Sequence, residues 1–477
     1  MRALATVCVL LTVIVLGPAC GSVPSETPDG ADATSTDDGA AGSPDAPLVD
    51  ALTLPDGFTC SPNTFYACDR NELVTCDDDG TGVERDPCGD AGCNPVAERC
   101  NQCRPSTHSC ADGNEVLCDA DGIIATRTAC FGGCQPGGDH CAALDPVFLP
   151  GICDAPGAGD TVVPAGSTRW ATGGGTTCNG GLIAQPDGST VCVMRVATLS
   201  VAAGATLSVT GANAFAVVAD QTITLSGEID ASANQQFSGA GAQTRVNGGG
   251  AGVAGGGGGG HGTDGGSGGG TIGGPGGGAR GTATPLVDSL IAGSHAGDPA
   301  TGSSAHSGGG GGGLMFVSCR GSVTMTSGAV IDVGGGGGGA GFIAATGLPM
   351  GGGGGGSGGT VVFQGLGVSI TGSIWANGGS GGGGTAAGAA AEAGANGSRS
   401  TFTPGGSGAG AGGEGGSGGG SGGGAISGGA PSTPSGSPGG GGGAAGRIKI
   451  YVPTGTPVAT GGTQSPAFEP TGVAPTK

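Results

Sequence analysis

Apolar and polar residues alternate along several short segments in the second half of the chain. Between Arg195 and Gly211 the alternation is interrupted once, at a turn formed by Ala203 and Gly204. Its apolar positions are Val196, Leu199, Val201, Leu207 and Val209. A period of two along the chain predicts half-buried β-strands.

Three later segments repeat this alternation and can be aligned with one another. Their shared positions are Ile223, Leu225, Gly227, Ile229 and Asp230, then Val323, Met325, Gly328, Ile331 and Asp332, then Val368, Ile370, Gly372, Ile374 and Trp375. Residues 447–452 look like a last partial copy. A repeat of roughly 18 residues, rich in Val, Ile and Thr, suits one coil of a parallel β-solenoid, which buries its apolar face by stacking. An antiparallel sandwich of the same strands is the alternative.

Glycine-rich tracts interrupt the repeats. Of 119 glycines, 86 lie between Ser238 and Arg447, and the tracts follow the equivalent positions Asp230, Asp332 and Trp375. Insertions at one corner of a solenoid emerge on one side. Because glycine has no side chain to bury and loses the most entropy on ordering, we expect these insertions to be disordered. A bundle of extended glycine helices packed backbone to backbone is the ordered alternative.

Twelve cysteines form two copies of a six-cysteine pattern. The gaps are 7, 7, 11, 4 and 6 residues in the first copy and 6, 7, 11, 3 and 6 in the second. The members are Cys60, Cys68, Cys76, Cys88, Cys93 and Cys100, then Cys103, Cys110, Cys118, Cys130, Cys134 and Cys141. A module of about 40 residues has too small a core to fold alone, so disulfides and an oxidising compartment are predicted. Similar duplicated modules occur in secreted proteins of Gram-negative bacteria.

Four further cysteines are expected to pair among themselves, namely Cys153, Cys178, Cys192 and Cys319. The short loop favours a bond between Cys178 and Cys192. The Cys100-Asn101-Gln102-Cys103 spacing suits zinc, but it straddles the two copies, so disulfide partners are preferred. Within each copy a short strand, an Asp/Gly turn and a second strand predict a hairpin. The turn aspartates do not follow the calcium-loop pattern.

The N-terminus predicts export and lipidation. Ala3 to Leu16 is an apolar run that suits a signal peptide and is too short to span a bilayer. The following Gly17-Pro18-Ala19-Cys20 resembles a bacterial lipobox, which implies cleavage before Cys20 and acylation of its sulfur. Ordinary secretion with cleavage near Ala19 is the alternative. Residues 20–55 are polar, Gly- and Pro-rich, and predict a disordered tether.

Charge and motifs exclude several functions. The net charge is −21, and residues 1–160 carry 25 of the 36 acidic residues but 6 of the 15 basic ones. The excess of negative charge repels nucleic acid. No nucleotide- or cofactor-binding motif occurs with the strand and helix that would normally flank it. The GxSxG match at Gly265–Gly269 is expected by chance in so glycine-rich a chain. The scattered histidines are interpreted as solvated, with no metal assigned: His108, His140, His261, His295 and His306.

One pair of carboxylates could serve catalysis. In stacked coils Asp230 and Asp332 would lie one strand spacing apart, ~4.8 Å, where two carboxyls could act in a glycosidase. Polysaccharide-cleaving β-helix enzymes usually add a cation there, and Arg320 is the nearest candidate. Solvated corner residues are the preferred interpretation, so no catalytic residue is assigned. The aromatic residues Phe65 and Tyr66 could bind carbohydrate, but the second copy has Thr107 and His108 instead.

The glycine-rich half resembles PGRS-like bacterial surface proteins in composition and rhythm. That resemblance and the N-terminus together imply a lipid-anchored protein of the outer membrane or cell surface, with a structural or adhesive role and surface polysaccharide or other cells as partners. The alternatives are a β-helix polysaccharide hydrolase or lyase that uses Asp230 and Asp332, or carbohydrate binding by the cysteine modules. The predicted organisation is signal peptide 1–19, tether 20–55, modules 56–101 and 102–144, the start of a β domain at 145–237, solenoid coils with glycine insertions at 238–446, and a last strand and tail at 447–477.

Overall fold

The computed structural model describes residues 54–135, 138–154, 157, 159–242, 254–270, 289–299, 306–386, 389–421 and 423–477. The predicted signal peptide, Cys20 and nearly all of the tether lie outside these residues. The chain divides into two units, Met1–Phe58 and Thr59–Lys477, and the described strands all belong to the second unit. None of the helices in the described ranges is long and apolar enough to cross a membrane.

Each cysteine copy is a small antiparallel β module, as predicted. The strands of module one are β1 Phe65–Asp69, β2 Glu72–Cys76, β3 Val83–Pro87, β4 Cys93–Asn94 and β5 Arg99–Cys100, with a 3-10 turn at Gly89–Ala91. Those of module two are β6 His108–Ala111, β7 Asn114–Cys118 and β8 Ile124–Ala129. The turn aspartates accept backbone N–H groups; in module two Asp119 Oδ1 accepts those of Asp121 and Ile123 at 3.0 and 2.8 Å.

The two modules share one disulfide order. In each copy the first cysteine pairs with the third, the second with the fifth and the fourth with the sixth. The bonds are Cys60–Cys76, Cys68–Cys93 and Cys88–Cys100 in module one, and Cys103–Cys118, Cys110–Cys134 and Cys130–Cys141 in module two. Cys100 and Cys103 therefore each form a disulfide within their own copy, with Cys88 and Cys118 respectively. Among the described cysteines no bond crosses between the copies.

The rest of the described chain is built on a parallel β-helix. Its strands, in chain order, are β9 Thr161–Val163, β10 Gly166–Ala171, β11 Leu182–Ala184, β12 Thr190–Val196, β13 Leu199–Val201, β14 Ala205–Thr210, β15 Ala214–Ala219, β16 Ile223–Leu225, β17 Glu228–Asp230, β18 Gly313–Ser318, β19 Ser322–Met325, β20 Val330–Asp332, β21 Thr360–Gln364, β22 Gly367–Ile370, β23 Ser373–Trp375, β24 Arg447–Val452, β25 Val458–Thr460, β26 Gln464–Ser465 and β27 Gly472–Val473. Two 3-10 turns, Ile152–Asp154 and Gly175–Cys178, accompany them.

Three sheets enclose the core of the β-helix. Sheet one has the order β11-β12-β15-β18-β21-β24-β27, sheet two β25-β22-β19-β16-β13-β9, and sheet three β10-β14-β17-β20-β23-β26. The pairings are parallel, except for β11 with β12 at the edge of sheet one. The predicted solenoid is confirmed, and the antiparallel sandwich is excluded.

The predicted alignment of the coils matches the observed register. Ile223 pairs with Val323, which pairs with Val368, in sheet two. In sheet three Ile229, Ile331 and Ile374 stack, and so do Asp230, Asp332 and Trp375. The stacked apolar residues are buried in one continuous core with Phe215, Phe316 and Phe363. Only the glycine differs. The turn before β20 has four residues, 326–329, whereas the turn before β17 has two, so Gly227 aligns with Ala329 and not with Gly328.

The central strands of sheet one, β15, β18 and β21, are buried on both faces, which the sequence did not predict. Their inner residues belong to the main core, while their outer residues, such as Met315 and Val317, pack beneath Leu144, Phe148 and Leu149. The Cys153–Cys319 disulfide holds this covering segment, and Cys178–Cys192 joins the 3-10 turn at Gly175–Cys178 to β12.

The C-terminal segment is part of the β-helix, which corrects its prediction as a tail. Strands β25 and β26 complete the last coil, and β27 lies at the edge of sheet one. Beyond them Lys477 exchanges two backbone hydrogen bonds of 2.9 Å with Ala143. The last residues therefore bind the segment that joins module two to the β-helix.

The described glycine tracts hydrogen-bond to one another with a period of three. In the segment 351–359, every third N–H donates to the same neighbouring segment. Gly352, Gly355 and Gly358 donate to Pro438, Gly441 and Ala444; Gly353, Gly356 and Gly359 donate to Gly339, Gly336 and Val333; Gly354 and Ser357 donate to Gly297 and Ser294. An extended polyproline-II helix has three residues per turn, so its donors point in three directions. The helix at 351–359 is thus bonded to neighbours on three sides.

Glycine is required by this packing because the backbones touch. A Cβ added at Gly356 would lie 2.0 Å from the carbonyl oxygen of Gly309, and one added at Gly379 would lie 2.0 Å from that of Gly336. The expectation of disorder is therefore wrong for the described tracts, which form the packed bundle of glycine helices. The hydrogen bonds of the buried backbone offset the conformational entropy that glycine loses. As predicted, the three insertions leave the β-helix at one corner, after β17, β20 and β23.

Candidate functional site

Asp230 and Asp332 lie side by side at the corner where the glycine tracts begin. They occupy directly paired positions of the parallel strands β17 and β20. Each carboxylate accepts a local backbone N–H, at 2.9 Å from Ser232 for Asp230 and at 3.0 Å from Gly334 for Asp332. The predicted register is therefore observed, and both aspartates help to turn the chain into a glycine tract.

Arg399 is the cation at this corner, and the sequence did not single it out. Its Nε lies 2.9 Å from Asp332 Oδ2, and its Nη2 contacts Glu228. Asp332 is buried, with 6% of its surface exposed, which corrects its interpretation as a solvated residue. Burial raises the pKa of Asp332, and the Arg399 guanidinium opposes this without cancelling it. The expected cation, Arg320, instead lies on the β18–β19 turn.

The sixteen cysteines predicted to form disulfides are all bonded, so none of them offers a thiol. Among the histidines, His261 is buried rather than solvated, with its Nε2 2.6 Å from Thr360 Oγ1. His295 Nε2 contacts the hydroxyl of Ser238. The partners lie 99 and 57 residues away in sequence, which concealed these contacts; they arise from packing of the glycine tracts.

Two of the scattered histidines meet on module two, beside Glu115. His140 Nδ1 lies 2.9 Å and His108 Nδ1 3.6 Å from Glu115 Oε1. The two imidazole rings have their centroids 5.0 Å apart. We call His108, Glu115 and His140 the histidine–glutamate cluster.

The strand pairing and two disulfides position this cluster. His108 and Glu115 lie on one face of the β6–β7 hairpin, because Cys110 pairs directly with Glu115 and His108 with Leu117. His140 comes from the loop before Cys141, which Cys110–Cys134 and Cys130–Cys141 tie to the hairpin. The cysteines that define the module thus bring together residues 32 positions apart.

The cluster borders a cavity between module two and the β-helix. The cavity has a volume of about 310 Å³ and is lined on the module side by His108, Glu115 and Phe131, and on the β-helix side by Asp220 and Arg320. Asp220 is engaged by a buried ion pair with Arg195, 2.5 Å between Nη2 and Oδ1. Phe131 also packs against β22, where its ring reaches Gly367.

Glu115 is held as a carboxylate. Burial alone would raise its pKa, but the hydrogen bond with His140, the N–H of Cys141 and the charge of His140 outweigh burial and lower the pKa below its ordinary value. The cluster therefore places one anionic oxygen and two imidazole nitrogens together, and two of its three residues, His108 and Glu115, line the cavity. Such a set can bind a cation or a hydrogen-bonding ligand.

Comparisons of the chain with protein-family models, with curated proteins and with solved structures found no match.

Proposed function

We propose that this is a lipid-anchored extracytoplasmic surface protein with a structural or adhesive role. The observation that carries the proposal is the period-three hydrogen bonding of the glycine tracts. The glycine helices are hydrogen-bonded to their neighbours through the backbone and leave the β-helix at one corner. Such a bundle should be stiff although it contains few side chains. A stiff bundle of this kind suits a load-bearing role, or the display of the rest of the protein at a surface. Glycine has no side chain that could take part in a reaction.

The disulfides support a location outside the cytosol. Eight bonds hold the modules, the covering segment and the first coils. Bonds of this number persist in oxidising compartments and are rare where thiols are kept reduced. The lipid anchor itself rests on the sequence around Cys20.

The polysaccharide-cleaving alternative has less support. A hydrolase needs an acid and a base directed at one bond. Asp332 is instead buried in an ion pair with Arg399, and Asp230 accepts the N–H and hydroxyl of Ser232. These contacts indicate that the two aspartates stabilise the corner of the β-helix. We therefore propose no catalytic role for the pair.

Membrane fractionation tests the anchor. We expect the wild-type chain in the membrane pellet, and Cys20→Ala in the soluble extracytoplasmic fraction, since acyl chains contribute about 0.8 kcal/mol per buried CH₂. Cys8→Ala, which changes a cysteine inside the predicted signal peptide, is the matched control and should stay with the membrane. Retention of Cys20→Ala in the pellet would contradict lipidation.

Adhesion of intact cells tests the role. Cells displaying the wild-type protein should aggregate or bind a surface more strongly than cells displaying Gly356→Val, whose Cβ would collide with the Gly309 carbonyl. Surface levels are matched by antibody labelling of intact cells. Equal adhesion at equal levels, or a chain that antibody never reaches, would overturn the surface role.

A further inference from the structure

The histidine–glutamate cluster has the composition and spacing of a metal site. In a tetrahedral zinc site the ligands lie about 2.0–2.2 Å from the ion, so that neighbouring ligand atoms are about 3.4 Å apart. The ligand atoms of His108, Glu115 and His140 all lie within 4.8 Å of one another. The two separations from Glu115 Oε1, 2.9 and 3.6 Å, fall on either side of the zinc value.

Module one provides a comparison with the same disulfide order and without the cluster. Two residues before the second cysteine it has Tyr66 where module two has His108. Opposite that cysteine, Cys68 pairs with Leu73, whereas Cys110 pairs with Glu115. One residue before the sixth cysteine it has Arg99 where module two has His140. Tyr, Leu and Arg are not among the usual zinc ligands, so the module fold does not require the three ligating residues.

The cluster is also accessible and held in place before any ion binds. The side chains of His108 and His140 are each 47% exposed, and that of Glu115 is 22% exposed. Disulfides fix the loop of His140 over the strands of the other two. Preorganised ligands lose little conformational entropy on binding. The adjoining cavity of about 310 Å³ leaves room for water in the remaining coordination position.

We propose that His108, Glu115 and His140 bind one Zn²⁺ ion on module two, with its open fourth coordination position facing the cavity. Two imidazoles and one carboxylate suit zinc, and three protein ligands with an open fourth position distinguish such a site from a closed structural one. The inference does not depend on the proposed surface role. It gives the second module a chemistry that the first lacks.

Titration of the full mature chain with Zn²⁺ alone tests the site. Calorimetry, with competition against a zinc-binding dye, should find one equivalent bound by the wild type. We expect His108→Gln and His140→Gln to weaken binding at least 100-fold, because losing a ligand exceeds the 10- to 100-fold effect of losing a supporting residue. His306→Gln, the same change at an exposed histidine elsewhere, should bind as the wild type does.

Histidine labelling tests zinc binding at the same site in the wild-type chain, without any variant. Diethylpyrocarbonate labels exposed imidazoles, and peptide mass spectrometry locates the label. Zn²⁺ should protect His108 and His140 and leave His306 equally labelled. The proposal is overturned if the wild type binds no zinc, if both variants bind as tightly as the wild type, or if zinc leaves the labelling of the two histidines unchanged.

Discussion

His261 Nε2 lies 2.6 Å from Thr360 Oγ1, so that a glycine tract is joined to the first residue of β21 by a buried imidazole. His261 is 1% exposed. Burial, aided by the charge of Arg447, lowers the pKa of His261 to about 3. A histidine in an unfolded chain has a pKa of about 6.5. Folding therefore requires the neutral form of this residue across a wide pH range.

The stability of the protein should depend on pH through His261. Below pH ~6.5 the unfolded chain binds a proton at this residue and the folded chain does not, so the free energy of unfolding falls as the pH falls. The decrease approaches about 1.4 kcal/mol per pH unit and ends near the folded pKa. Denaturant unfolding with intact disulfides at pH 7, 5.5 and 4.5 measures it.

The matched variants are His261→Gln and His306→Gln. The first should lose this part of the pH dependence, because glutamine does not titrate, whatever its effect on stability at pH 7. The second, at an exposed position, should keep the wild-type slope. A slope that is the same in His261→Gln as in the wild type would show that the residue is not buried in its neutral form.

Gly356→Ala should destabilise the glycine bundle strongly. Its Cβ would lie 2.0 Å from the carbonyl oxygen of Gly309, a backbone atom that cannot move without breaking the hydrogen-bond pattern. Overpacking typically costs about 1–3 kcal/mol, and we expect the upper end. Gly424→Ala is the control, since nothing lies within 4 Å of its Cβ. Equal thermal unfolding temperatures of the two variants would contradict the packed bundle.

The coils could be predicted because their pattern is local. Residues such as Ile229, Ile331 and Ile374 carry the period-two alternation, and aligning them already gives the register. The order of the glycine tracts could not be predicted this way. It comes from hydrogen bonds between backbones far apart in sequence, such as Gly441 with Gly256, and glycine leaves no side-chain pattern to mark them.

The contacts of the candidate sites were hidden for a similar reason. Arg399 reaches Asp332 across 67 residues, after a glycine tract has turned back toward the corner. His108 and His140 looked scattered because disulfide pairing, which sequence spacing leaves open, brings them together. A search for histidines and carboxylates placed next to the module cysteines would have found the cluster, since all three ligands lie within three residues of a cysteine.

The Cys153–Cys319 disulfide should contribute more stability than Cys178–Cys192. Their sequence separations are 166 and 14 residues. Chain-entropy estimates give about 5 kcal/mol for the long loop and about 3 kcal/mol for the short one. Paired alanine variants compared by denaturant unfolding test the order, after peptide mapping without reduction has established both bonds. A larger loss for the Cys178/Cys192 pair would show that loop length does not set the effect.

The purified protein should not depolymerise pectin, alginate or chitin. Asp230 and Asp332 are in register, as a glycosidase pair would need, but Asp332 is buried against Arg399 and Asp230 binds Ser232. Protonation and nucleophilic attack both require a carboxyl group that can reach the scissile bond. We therefore expect no new reducing ends or unsaturated products from wild type, Asp230→Asn or Asp332→Asn, each checked for folding by thermal unfolding. Turnover by the wild type that either folded variant loses would establish the enzyme instead.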